Sequence, residues 1–184
     1  NAEISADFIV WNAGADLNIA GLPGFFDVVG RVSAIAVAPT NSDIVYMGTE
    51  DGFVARTSTG TAQNHEWAVL SAGLPIEEGF ISSIAVDPVN PNSIWVTNAR
   101  FTEFDPNDPS PEYNLYRGTC TGDCDDPNSW FFEQMDGFDC NPDDGIDPVL
   151  PDVPAHWVAI RRCGSGPCAP GDCLVFVGTE IGVY

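Results

Sequence analysis

The sequence predicts an all-β chain built from repeated four-stranded antiparallel sheets. Three observations lead there. Residues 32–54, VSAIAVAPTNSDIVYMGTEDGFV, recur from Ile81 as ISSIAVDPVNPNSIWVTN, and their end returns at 175–184 as VFVGTEIGVY. The strand-like segments are small or apolar on both alternate sets, so both faces need cover. No segment shows a helical period, and 18 Gly and 15 Pro punctuate the chain.

In chain order, residues 7–11 (DFIVW) and 16–19 read as two short strands, followed by Ala20-Gly21-Leu22-Pro23. That tetrapeptide returns at 72–75 and, weakened, at 149–151. Each copy stands shortly before a long strand. Residues 32–37 are the first such strand, with Val32, Ala34 and Ala36 on one face and Ser33, Ile35 and Val37 on the other. Pro39 to Asp43 is a turn, and 44–47 is the second strand. Glu50-Asp51-Gly52 is a tight hairpin signal. Residues 53–57 and 67–71 complete four strands. The cycle restarts at Ile81, after a period of about 49 residues. Its strands are 81–86, 93–97, 113–117 and 130–134, with an Asp/Pro-rich insertion at 101–111. A third cycle supplies 157–161 and 173–178, then reaches Gly182-Val183-Tyr184, where a third strand begins.

A four-stranded unit that is apolar on both faces is not stable alone and stacks on its own kind. That is the logic of a β-propeller blade. The alternative, a β-sandwich, shows clean in/out alternation, which the inner strands here lack. The expected fold class is therefore all-β, with propeller-type blades: 7–23 the back half of a blade, 32–75 a full blade, 81–134 a second carrying the insertion, 135–152 an acidic loop, and 155–184 the front half of another.

At Ile81-Ser82-Ser83-Ile84-Ala85-Val86-Asp87-Pro88, Asn90-Pro91-Asn92 and Val177-Gly178-Thr179-Glu180-Ile181-Gly182-Val183-Tyr184 the chain resembles the Asp-box (BNR-like) repeat propellers. These include sortilin-type receptor domains, xyloglucanase-type glycoside hydrolases and sialidase-like propellers. The resemblance covers most of the chain and implies fold more than function. The Asp-box itself is degraded. Ser58 keeps its place, but Gly60 stands where Asp is expected and Trp67 comes late. In the next repeat Gly118 and Cys120 replace Ser and Asp, Gly122 remains, and Trp130 comes late. A Cys120–Cys124 bridge pinning that hairpin turn is the expected substitute.

The charge is lopsided, with 27 Asp and Glu against six Arg and a net charge of −21. Nucleic acid and anionic membranes need basic patches, so neither is an expected partner. No apolar run has the length of a membrane span. The six cysteines, Cys120, Cys124, Cys140, Cys163, Cys168 and Cys173, crowd the second half. An even count in Gly/Pro/Asp-rich loops implies disulfides and an extracellular or secreted location. The expected pairs are Cys120–Cys124, Cys163–Cys173 and Cys140–Cys168. Zinc is disfavoured, since the spacings match no common zinc motif.

The blades do not close a ring. The chain therefore reads as a piece of a longer propeller, as part of a ring closed by two or more copies, or as one unit of a head-to-tail filament. In the filament the last half-blade takes N-terminal strands from a neighbouring copy. Phe8, Ile9, Val10 and Trp11 at one end and Val175, Val177, Val183 and Tyr184 at the other are the expected assembly strands.

Other candidate sites are few. Asp123, Asp125 and Asp126, with Asp139, Asp143 and Asp144, offer carboxylates on loops of the kind calcium takes; solvated turns are the plainer reading, and no other cofactor is expected. Phe101, Phe104 and Tyr113 in the insertion are candidate ligand contacts, glycans included. Trp11, Trp67, Trp95, Trp130 and Trp157 read mainly as core. No Ser/His/Asp set, phosphate loop or mappable carboxylate pair marks a catalytic centre, so no catalytic residue is assigned. The leading expectation is an extracellular structural assembly module. The alternative is a fragment of a larger glycan- or protein-binding propeller or of a glycoside hydrolase.

Overall fold

The computed structural model describes residues 31–62, 67–70, 74, 79–99, 114–135, 150–151, 153–161 and 174–184. They form three antiparallel sheets in chain order and one short 3-10 turn, an all-β fold of blade-like units. The first sheet holds β1 (Val32–Val37), β2 (Val45–Thr49), β3 (Val54–Thr57) and β4 (Ala68–Val69). The second holds β5 (Ile81–Val86), β6 (Ser93–Asn98), β7 (Leu115–Cys120) and β8 (Trp130–Gln134). The third holds β9 (Ala155–Ile160), β10 (Val175–Thr179) and β11 (Gly182–Val183). In each sheet every strand pairs with the next in sequence.

The turns explain why the repeat folds this way. In the first, the backbone amides of Asn41 and Ile44 bond back to the carbonyls of Ala38 and Asn41, and Asp43 donates its amide to the Asn41 side chain. In the second, the buried Asp87 carboxylate accepts the amides of Val89 and Asn90. These are Asx-type turns, which is why Asp and Asn recur there. At the β2–β3 hairpin, Gly52 sits at φ 82°, a conformation that favours glycine.

Strand limits differ from the sequence reading in ordered ways. β7 begins at Leu115 rather than Tyr113 and runs on to Cys120, because Cys120 pairs with Trp130 across the hairpin. β9 begins at Ala155 rather than Trp157. Each inner strand carries a ladder irregularity near its start, between Val32 and Ala34, between Ile81 and Ser83, and opposite Gly178/Thr179. An extra residue of this kind blurs simple alternation, and so hides where the strand starts. β4 is shorter than the expected 67–71.

The sheets stack face to face as a row, β1 against β5 and β5 against β9. Between the first two lies the main core: Ala34, Tyr46, Val54 and Leu70 meet Ile81, Ile84, Ile94, Val96, Tyr116, Trp130 and Phe132. Between the second and third, Trp95 and Leu115 meet Ala155, Val158 and Val177. The inner strands approach closely. A Cβ added to Gly48 would lie 2.3 Å from Ile81 Cγ2, so only glycine admits the isoleucine.

Among the expected Trp core residues, Trp95 and Trp130 are buried, and Trp67 packs beside Met47, Ala55 and Val69. Trp157 is a correction. It is 56% exposed, because it projects from the far face of the third sheet, away from Val158 and Val177. Trp11 lies outside the described residues.

Gly48→Val forces Ile81 off its seat and is expected to lower stability by about 1–3 kcal/mol. Gly178→Ala, where an added Cβ meets nothing nearer than 3.5 Å, is expected to stay within about 0.5 kcal/mol of the parent. Urea unfolding of the two variants against the parent checks the contrast.

Candidate functional site: the open faces and the free edge

The row of sheets has two outer faces. The rear one is the far side of β1, where Val32, Ile35 and Val37 are exposed. Ile35 pairs with Met47, Met47 with Ala55, and Ala55 with Val69, so these four share that face. Met47, Ala55 and Val69 are buried with Phe53 and Trp67 packed on them, which leaves the β1 stripe as its uncovered part.

The front face belongs to the third sheet. Trp157 pairs with Gly178, Gly178 with Val183, and Phe176 with Ala159. Trp157, Phe176 and Val183 therefore stand on one face around a glycine floor, and all three are exposed. Exposed apolar groups gathered on one face mark an interaction surface more often than chance scatter does. Beside them His156 Nε2 lies 3.5 Å from Glu180 Oε1, with both side chains about half in water.

The third sheet also has an edge, the outer side of β11, that no strand pairs among the described residues. The other two sheets have four strands, and this one has three among the described residues. Tyr184 and Val177 exchange both backbone bonds, at 2.9 and 2.8 Å. Alternation along an antiparallel ladder then turns the amide and carbonyl of Val183 outward. Of the expected assembly strands, Val183 lies on this edge and on the open face. Val175 and Val177 face inward toward the second sheet, and Tyr184 shares the inward side. Phe8, Ile9, Val10 and Trp11 lie outside the described residues.

The acidic candidates divide. The sulfurs of Cys120 and Cys124 are 2.05 Å apart, a disulfide closing the β7–β8 turn. Within and after it, Asp123 accepts the Asp125 amide, and Asp126 caps the 3-10 turn at Pro127–Ser129 by accepting from Asn128. Asp125 crosses to the first sheet. One carboxylate oxygen takes the Arg56 guanidinium, and the other accepts from the Ser58 hydroxyl at 2.8 Å. All three carboxylates thus serve the loop and its docking. Among the described residues no group of three or more His, Cys, Asp or Glu is placed to hold a metal ion. Asp139, Asp143, Asp144, Cys140, Cys163, Cys168, Cys173, Phe101, Phe104 and Tyr113 lie outside the described residues.

Sequence reasoning missed Arg56, Asn92 and Tyr46. Arg56 is buried on β3, and its second amino group faces Asn92 at 3.4 Å. Its signal was present: a lone cation inside the apolar run VARTS of a strongly acidic chain. Tyr46 donates its hydroxyl to the Pro91 carbonyl at 2.6 Å and meets Trp130 edge-on. Burial pushes the Tyr46 phenol up to about 12, although nearby Arg56 pulls the other way. Trp130 in turn donates its indole N–H to the Cys124 carbonyl at 3.0 Å. The disulfide turn of the second sheet is thereby clasped to the first.

Asp125→Asn leaves the Arg56 charge buried without a counter-charge. It is expected to cost about 1–3 kcal/mol, below the usual figure for buried pairs because Asp125 is half exposed. Arg56→Met, which removes the charge and keeps the volume, is expected to cost less than Asp125→Asn. Chemical denaturation of both variants tests that order.

The Tyr46 phenol is raised in the folded state, so its neutral form stabilises the fold. That contribution is complete below the ordinary tyrosine value of about 10 and falls away as pH rises toward about 12. Urea midpoints measured from pH 8 to 12 are expected to fall across this window, and to fall less steeply in Tyr46→Phe.

Among the described residues no helix is long and apolar enough to cross a membrane. No family model and no curated protein matches this chain.

Proposed function

We propose that the chain is an extracellular, non-catalytic structural module that assembles with copies of itself head to tail. The third sheet of one copy accepts N-terminal strands of the next, in the manner of strand addition. The observation that carries this reading is the edge strand β11. It turns the Val183 amide and carbonyl away from β10, and the Val183 side chain stands exposed. An unpaired edge of this kind is a template for another strand. The blade repeat, with its resemblance to Asp-box propellers, supports a scaffold that stacks like on like. The Cys120–Cys124 disulfide supports an oxidising compartment. A heterologous head-to-tail contact that does not close gives a filament. Copies of net charge −21 repel, so association strengthens as salt screens them.

The same open faces favour one other reading, in which further blades of a longer chain cover them and the protein is a propeller with a binding or hydrolytic role. The two readings part on mass. Under the assembly reading, light scattering of the purified chain shows oligomers that grow with concentration and with added salt. Val183→Pro removes the outward amide and leaves the bonds to β10 in place; it is expected to reduce the assembly to monomer with the far-ultraviolet spectrum retained. A wild-type chain that stays monomeric at high concentration and high salt defeats the assembly reading and favours the longer propeller.

A further inference from the structure

The three sheets are copies in register, and the interior shows how one copy receives the next. Ladder pairs align Ser33 with Ser82 and His156, Tyr46 with Trp95 and Phe176, and Gly48 with Thr97 and Gly178. On the opposite side of the inner strands, Ile35 aligns with Ile84 and Val158. In the interior each of these positions has a partner. The Ser33 hydroxyl donates to the Ile81 carbonyl, and the Ser82 hydroxyl to the Ala155 carbonyl. Gly48 receives Ile81, and Tyr46 and Trp95 are covered by the sheet that follows. Ile84 and Val158 are buried against the sheet that precedes.

At the ends of the row the same positions are open. Phe176 is 43% exposed where Tyr46 and Trp95 are buried, and Ile35 is 58% exposed where Ile84 and Val158 are buried. A Cβ on Gly178 would meet only Trp157 of its own sheet, whereas one on Gly48 would strike Ile81. The front face thus presents an empty socket, and the rear face presents the knobs that fill such sockets.

We infer that the rear face of a second copy stacks on the front face of the first in the interior register. Val32 seats on Gly178 as Ile81 seats on Gly48, and Ile35 and Val37 lie over Phe176 and Ala159. His156 stands at the place from which Ser33 and Ser82 donate to the next inner strand, and it donates to the Val32 carbonyl. The inference rests on the assembly reading and names the surface and the partner, a second copy of this chain.

Charge supports the same register. In the interior the β2–β3 turn lies against the residues just before β5: a Cβ on Gly52 would be 2.9 Å from the Gly79 carbonyl oxygen. The matching β10–β11 turn carries Glu180, and the residue just before β1 is Arg31. The Arg31 side chain is almost wholly in water, with Glu50 3.9 Å away. The interior register brings Glu180 of one copy to Arg31 of the next, a rare basic group meeting an acidic one in a chain with six cations. Trp157, where the interior has Ala34 and Ser83, adds an indole of the kind interface cores favour.

The test is a charge-swap cycle with a socket-filling control, on the full chain at about 0.15 M salt. Arg31→Glu and Glu180→Arg are each expected to weaken self-association several-fold by sedimentation, and the double variant to recover most of it. Gly178→Leu fills the socket and is expected to abolish association while leaving the monomer folded by near-ultraviolet spectroscopy. If Val183→Pro abolishes assembly but these variants assemble as the parent does, the stacking register is overturned and strand addition stands. If the parent chain never associates, both fall together.

Discussion

The seating of Ile81 on Gly48 is the contact on which the arrangement depends. A sheet with two apolar faces gains little by folding alone, because half its apolar surface stays in water. The second sheet solves this for the first only by bringing its inner strand close enough for an isoleucine side chain to occupy the space of a missing Cβ. The Ser33 hydroxyl, bonded to the Ile81 carbonyl, sets the register of that approach. Around this point Tyr46, Ile84, Ile94 and Val96 lose their water together. The second interface keeps the inner-strand bond, from the Ser82 hydroxyl to the Ala155 carbonyl, but has Thr97 where the first has the glycine seat.

Away from the inner strands the sheets are held by a different interaction. Arg56 is buried on the first sheet, and its counter-charge comes from a loop of the second. A buried cation is costly unless paired, so the loop bearing Asp125 has to be in place before the outer half of the interface is stable. The disulfide closes that loop, and Trp130, bonded to the Cys124 carbonyl, fixes it to the core. A tight inner seat and a charged outer clasp together prevent the two sheets from sliding.

The consequence for function is polarity. At both interior interfaces the front of one sheet receives the rear of the next, so the row ends in two unlike faces. Polarity of this sort propagates in one direction and does not pair a face with itself. Exposed apolar groups stand at both ends, Ile35 and Val37 on one and Trp157, Phe176 and Val183 on the other, and the edge strand β11 lies beside the second.

The strand repeat, the two Asp/Asn-containing turns and the Cys120–Cys124 turn were legible in the sequence, because they rest on local chemistry: a recurring apolar motif, turn-forming residues and short loop closure. It also marked the third repeat as reaching β11. Only the tertiary structure decided that Trp157 faces outward while Trp95 is buried, since identical strand chemistry is core or surface according to whether another sheet lies on it. The pairing of Arg56 with Asp125 was equally out of reach. Those residues lie in different repeats, 69 positions apart, and nothing local to either names the other. Contacts within a strand or turn are written in neighbouring residues, whereas contacts between sheets depend on the stacking register, which exists only once the chain has folded.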